Sequence, residues 1–468
     1  MKRRWTALVI LVASASLAAQ TTNVALPAGK VVPRVVCAAN VKQSYALYLP
    51  SSFSANRKWP IIYMFDPGGR GAVAVETARR AAETYGYILA ASNNSRNGPQ
   101  GGSSEAAQAM WLDTPQRLPV DEARRYFAGM SGGARVATAL ALSCGDCVAG
   151  VIANAAGFPA NAKLGRDAKF AYFAAVGNAD MNYPEFVDLR PWLEAAGISY
   201  RIRIFDGTHG WAPPEVWDEA LNWLDLQAMG RGLVPRDAAR IDKTLSDDLA
   251  RARAFEAKQE WLAALREYQA ITRDYAGLAD ITAPKNRALA LEKDKEAGRQ
   301  AKQERDDVDK QMRLMSGPSA QMEAIRSGNP DNTALVDVRS AIAGLKRDAD
   351  HASNRRERLV LARALGGLVI QAFESSQRSM EQKDFQGALQ YLELAAAGSD
   401  DLGWVHFQRA RAYAGGADKN HMLAELKLSL AAGFDAPTAL DAAEFAAYRE
   451  DPQFQKLASE WTKDVSQR

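Results

Sequence analysis

Ser131 stands in Gly129-Met130-Ser131-Gly132-Gly133, between the strand-like run Tyr126-Phe127-Ala128 and a helix-forming stretch that begins at Ala134. A serine that turns tightly out of a strand end and into a helix presents its hydroxyl as a nucleophile. The turn requires a strained backbone, and glycines at 129 and 133 keep side chains clear of the neighbouring strand and helix. The helix N-terminus behind Ser131 adds a field that favours developing negative charge.

Such a hydroxyl needs a base. His209, in Phe205-Asp206-Gly207-Thr208-His209-Gly210-Trp211, is the one histidine in the first half; His351, His406 and His421 lie in the second. Its Gly-flanked loop beyond a strand end is where sites on open α/β sheets assemble. A carboxylate should fix the imidazole tautomer and stabilise the imidazolium. Asp180, just past the apolar run Phe170 to Val176, is the leading candidate. Asp188 falls in a following helix, and Asp206 is cramped against His209. The oxyanion of an acyl-transfer intermediate needs two donors. Gly132 offers the N–H after the nucleophile. The second is expected from Asp66-Pro67-Gly68-Gly69-Arg70-Gly71: Pro67 has no N–H, so Gly68 leads and Gly69 follows.

The elements that must position these groups alternate. Strands are expected over Val36–Leu49, Trp59–Phe65, Tyr87–Ala91, Arg125–Ala128, Gly150–Ala155, Phe170–Val176 and Ser199–Phe205. Helical spacing lies between several of them, as in Val75–Tyr85 and Ala134–Leu142. Strands alternating with helices imply a mostly parallel sheet covered on both faces. After Met229-Gly230-Arg231-Gly232-Leu233-Val234-Pro235 the strand-like runs vanish, and Ala, Leu, Lys, Arg, Glu and Gln dominate. The division is therefore a catalytic domain over 31–228, a linker over 229–240 and a helical domain over 241–468.

Asp384, Leu389 and Leu392 recur 34 residues later as Asp418, Leu423 and Leu426, with Ala410 and Tyr413 on the preceding helix. Ala252, Phe255, Trp261, Ala264 and Tyr268 have matching internal spacing, and Lys285–Met315 reads as one long charged helix. This half resembles tetratricopeptide repeats, whose helix pairs stack through small and aromatic residues; a generic helical bundle is the alternative.

Over Ser44–Leu226 the chain resembles the α/β-hydrolase superfamily, in which nucleophile, acid and histidine follow one another in the order Ser131, Asp180, His209. Val120-Asp121-Glu122-Ala123-Arg124-Arg125-Tyr126 leading into the Ser131 pentapeptide resembles the secreted esterases of the polyhydroxybutyrate depolymerase and feruloyl esterase branch. The resemblance implies ester hydrolysis through an acyl-serine, without metal or organic cofactor. The chain departs from it where Asp66-Pro67 replaces the branch's His-Gly pair.

Composition narrows the partners. The 468 residues carry a formal charge of +3, with 47% hydrophobic and 24% charged residues, so nothing favours nucleic acid or an anionic membrane. Met1-Lys2-Arg3-Arg4, the apolar run Thr6–Ala15 and the small residues to Ala19 read as a signal peptide over 1–19. The expected location is secreted or periplasmic, with no membrane span once the signal is removed.

Three cysteines cannot all pair. Cys144 and Cys147 end a helix rather than open one, which favours a structural disulfide, between themselves or to Cys37, over redox chemistry. The short stretch between Gly157 and Phe170 leaves no room for a cap, so an open site for bulky or polymeric esters is expected. Asn93–Gly98 and Trp111 are candidates to border it. The helical half is expected to bind a protein partner or dock, outside the chemistry. A serine peptidase, or a non-catalytic hydrolase-fold binding protein, are the alternatives.

Overall fold

In a computed structural model of the chain, residues 26–98, 102–162, 165, 168–328, 333–434 and 437–466 are described. The proposed signal peptide lies outside them.

Eight strands form one sheet: β1 Val31–Val36, β2 Ser44–Tyr48, β3 Trp59–Phe65, β4 Ile88–Ser92, β5 Val120–Met130, β6 Gly150–Asn154, β7 Ala171–Gly177 and β8 Tyr200–Phe205. Their spatial order is β1-β2-β4-β3-β5-β6-β7-β8. The β1–β2 and β2–β4 pairs are antiparallel, and every pair from β4 to β8 is parallel. The run expected as one strand over Val36–Leu49 holds only the end of β1, a turn over 37–43 and β2. Cys37 N–H donates to Gln43 O at 3.0 Å, and β2 folds back on β1.

Side-chain alternation sends successive residues of each strand to opposite faces. Ile61, Tyr63, Phe65, Phe127, Val151 and Tyr172 enter one core with α2 Ser103–Arg117, α3 Gly132–Cys144 and α4 Tyr183–Ala196. Ile62, Met64, Ala128, Ile152 and Phe173 enter the other with α1 Gly71–Tyr85 and α5 Pro214–Gly230. Both faces are covered, as the continuous apolar strands require.

Among the described residues ten further α-helices follow, after a turn in which Gly232 adopts φ 71°. They include α6 Ala238–Ala257, α7 Trp261–Asp274, α8 Thr282–Glu292, α9 Lys295–Arg326, α10 Ala334–Asp350, α11 Arg355–Glu381, α12 Phe385–Gly398, α13 Leu402–Gly415, α14 Lys419–Ala431 and α15 Pro452–Ser466. The expected single helix over Lys285–Met315 is broken: Asp294 accepts from the N–H groups of Glu296 and Ala297 and starts a new helix. The turns before α7, α12 and α14 share one device, a left-handed non-glycine residue (Gln259, Lys383 and Ala417, φ 59–62°) just before the N-cap. By length and composition α11 could cross a membrane, a run the sequence reading did not single out. In the structure 56% of that window is buried, and it packs in a core with α9, α10 and α12.

The two regions share an interface built on the edge strand β8. Arg201 and Arg203 project from it and are buried. Arg201 meets Asp248 of α6 at 2.8 Å and Asp274 of α7 at 2.7 Å; Arg203 meets Glu267 of α7 at 3.1 Å and also Glu219 of α5. Leu226 and Met229 of α5 lie in one apolar cluster with Ile241, Ala264 and Tyr268.

Candidate active site

Ser131 directly follows β5 with φ 54° and ψ −122°, a conformation that non-glycine residues rarely adopt. Two close approaches hold it. A side chain at Gly129 would overlap the Gly133 carbonyl, and one at Gly133 would overlap the Phe65 carbonyl of β3. Ser131 N–H donates to Asn154 O of β6 at 2.9 Å, so the turn is tied to both neighbouring strands. The strain is thus sustained by the surrounding backbone.

Asp180 follows β7 and is fully buried. Its Oδ1 lies 2.9 Å and its Oδ2 3.0 Å from His209 Nδ1, in the loop after β8, and Oδ1 also accepts from Asn182 N–H at 2.8 Å. A carboxylate against Nδ1 leaves Nε2 as the free ring nitrogen. The acid and histidine loops are joined further: Ala179 N–H donates to Gly207 O at 2.9 Å, and Asn178 Nδ2 to Asp206 Oδ1 at 2.9 Å. Ser131, Asp180 and His209 therefore stand beyond the carboxyl ends of β5, β7 and β8 in one parallel run. Asp188 is in α4. Asp206 turns outward to Asn178 and Arg355, which hold its carboxyl below the usual range.

The loop after β3 is organised by Asp66, whose side chain is fully buried. It accepts from Gly68 N–H at 2.8 Å, from Arg70 through Nε at 2.9 Å and Nη2 at 3.0 Å, and from Trp211 Nε1 at 3.0 Å. Trp211 is two residues past His209, so Asp66 couples the two loops. Gly68, expected as an oxyanion donor, directs its N–H to this carboxylate, and Gly69 N–H goes to Asp66 O at 3.1 Å. The stretch from Asn93 to Gly98 is laid against this loop. Gly68 bridges to Arg96, and Asn97 N–H donates to Pro67 O at 2.9 Å. Trp111, the other candidate to border the site, packs instead on Tyr63 and Phe127 beneath Arg125, back along the strands.

The stretch from Gly157 to Phe170 contains no helix or strand among its described residues. Elements of the helical region reach the loops that follow β7, β8 and β4. Gln311 of α9 donates from Nε2 to the carbonyl of Met181, the residue after Asp180, at 2.8 Å. Glu304 of α9 accepts from Tyr183 Oη at 2.7 Å. Arg355, opening α11, meets Asp206 at 2.8 Å, and Glu381, ending it, lies beside Gly98. Sequence reading had no signal for these contacts, because α9 and α11 carry ordinary charged faces.

No family model matches the chain, and no curated protein does. Solved structures align with less than half of it. An S-formylglutathione hydrolase from Staphylococcus aureus is 14% identical, over 39% of this chain and 90% of that one, with a TM-score of 0.32. An esterase from Mycobacterium marinum is 16% identical, over 42% and 82%, with a TM-score of 0.36. The feruloyl esterase module from Clostridium thermocellum is 17% identical, over 42% and 87%, with a TM-score of 0.30. Nothing about activity follows from likeness at this level.

Cys144 and Cys147 are joined in a disulfide, and Cys37 is free and buried, its thiol pushed up to about 11 chiefly by burial. Among the described residues no three of His, Cys, Asp and Glu converge as metal ligands. A cavity at the far end of the sheet, lined by Arg57, Lys58, Trp59, Arg124 and Arg240 among others, includes none of the groups around Ser131.

Proposed function

We propose that the chain is a serine hydrolase of the α/β-hydrolase type that cleaves carboxylic esters. The observation that carries this reading is the hydrogen bond of buried Asp180 to His209 Nδ1, on loops neighbouring a serine in a strained strand-to-helix turn. His209 takes the Ser131 proton on Nε2 as Oγ bonds to the substrate carbonyl carbon, and the carbonyl π pair moves onto oxygen. Collapse of that oxyanion expels the alcohol, which receives the proton from His209. Water, deprotonated by His209, then attacks the acyl-serine, and the acid leaves as Ser131 recovers its proton. Gly132 N–H, at the start of α3, stabilises the oxyanion in both halves. No metal or organic cofactor is required by these steps.

Contacts of α9 and α11 with the loops around Ser131 favour ester substrates that meet the helical region as they bind. Labelling with a fluorophosphonate, which phosphonylates an activated serine, tests the reading. Wild type should label and hydrolyse p-nitrophenyl acetate, while Ser131→Ala should do neither. Labelling that survives in Ser131→Ala would remove the proposal.

A further inference from the structure

We infer that Asn97 is a catalytic residue whose carboxamide supplies the second hydrogen bond to the oxyanion. This rests on the serine-hydrolase reading above. The loop after β3 offers no uncommitted N–H from 67 to 70: Pro67 has none, and those of Gly68, Gly69 and Arg70 are directed to Asp66. The carboxylate that takes the N–H groups of Gly68 and Arg70 is buried and also holds the Arg70 and Trp211 side chains, while Gly69 N–H is closed in a turn onto the Asp66 carbonyl.

The space beside Gly132 is filled from another direction. A Cβ built on Gly132 would overlap the Asn97 carboxamide, whose Oδ1 is the nearest atom to that built Cβ and whose Nδ2 lies 2.8 Å from it; rotation of the carboxamide about its Cβ–Cγ bond exchanges the two and brings the donor to the Gly132 side. The Asn97 carboxamide therefore borders the residue whose own N–H is the first donor. Among the described residues it makes no side-chain hydrogen bond, and it is exposed toward the solvent side. Its backbone is fixed independently, by Asn97 N–H to Pro67 O at 2.9 Å and by the neighbouring Gly68–Arg96 bridge. The anchored backbone keeps the amide within reach of an oxyanion beside Gly132, and its uncommitted N–H groups are free to donate there. This placement also explains why position 132 is glycine: any side chain would displace the amide.

Kinetics of the full-length protein with p-nitrophenyl acetate test the inference. Asn97→Ala should lower kcat by roughly 10²–10³-fold with KM within about twofold, because the bond is made to the transition state. Asn97→Asp should be at least as slow, a carboxylate being unable to donate. Gly132→Ala should be slow by displacing the amide. The double variant Asn97→Ala/Gly132→Ala should be no slower than Asn97→Ala, since one donor cannot be lost twice. A melting temperature unchanged in Asn97→Ala excludes a folding defect. A kcat within threefold of wild type in Asn97→Ala overturns the inference and returns the role to Gly68, as does a multiplicative loss in the double variant. A wild type that neither labels with fluorophosphonate nor turns over ester would instead sink the hydrolase reading itself, and this inference with it.

Discussion

At the scale of single residues, the site divides into groups whose types announce themselves and groups whose roles depend on neighbours. The placement of Ser131, Asp180 and His209 was legible because each sits just past an apolar strand in a short polar turn. Asp180 faces His209 Nδ1 and a backbone N–H, so Asp180→Asn should favour the wrong tautomer and lower kcat by roughly 10⁴-fold, with substrate affinity little changed. Pre-steady-state acylation rates would measure this, and a normal rate would reassign the acid. Asp66 was legible only as a departure from the expected His-Gly pair; its bonds to Arg70 and Trp211 depend on approaches that no local pattern encodes. Asp66→Ala removes the acceptor of Gly68 N–H, Arg70 and Trp211 together. It should lower the unfolding free energy by about 1–2 kcal/mol, as expected when partly buried donors lose their acceptor while the half-exposed Arg70 turns to water, and chemical denaturation would show it.

At the scale of elements, near-continuous apolar runs located the parallel strands, because strands covered on both faces leave few polar positions. The β1–β2 hairpin was missed because Val36–Leu49 has no strong breaker at its turn. The α8–α9 break was missed because Lys293-Asp294-Lys295 resembles an exposed helix face until Asp294 is seen to cap. The repeated turns were partly legible through their aspartates. The left-handed residues that precede them were not, since neither Lys383 nor Ala417 is of a type that prefers φ near 60°. Ala417→Gly should therefore stabilise the α13–α14 pair by about 1 kcal/mol, by relieving the Cβ clash of that conformation. Slower amide hydrogen exchange across α14 would report it, and unchanged exchange would contradict it.

At the scale of the whole molecule, β8 misleads. Tyr200-Arg201-Ile202-Arg203-Ile204-Phe205 alternates like a strand with one face in water, yet both arginines are buried against carboxylates of α5, α6 and α7. Burial opposes ionisation at Asp248, Glu267 and Glu219, but the arginines outweigh it and hold all three below their ordinary values of 3.8, 4.5 and 4.5. Asp274 is shifted upward instead, because burial prevails there over Arg201 and Arg273. The three depressed groups stabilise the junction above their unfolded values and lose that contribution as pH falls through the folded ones; Asp274 acts in the opposite sense. Resistance to urea should accordingly fall as pH drops below about 4. Asp274→Asn should be better tolerated than Asp248→Asn, which breaks two arginine contacts at a cost of about 3 kcal/mol. Truncation near Leu233 removes Asp248, Glu267 and Asp274 and bares Leu226 and Met229. The shortened chain should aggregate on size-exclusion chromatography; a monodisperse, active fragment would show that the junction is dispensable.

The closure of β8 by α6 and α7 also sets an order of events during synthesis. The sheet's last strand leaves the ribosome well before residue 274 does, and until then its outer side is an unprotected edge carrying two arginines beside exposed Leu226 and Met229. Bare strand edges and transient apolar surface are what nascent chains aggregate through, and what holding chaperones bind. Nascent chains stalled far enough past residue 230 for α5 to clear the exit tunnel, with α7 still inside it, should accordingly be sensitive to protease across β8 and α5. Chains stalled far enough past residue 274 for α7 to clear the exit tunnel should be protected there.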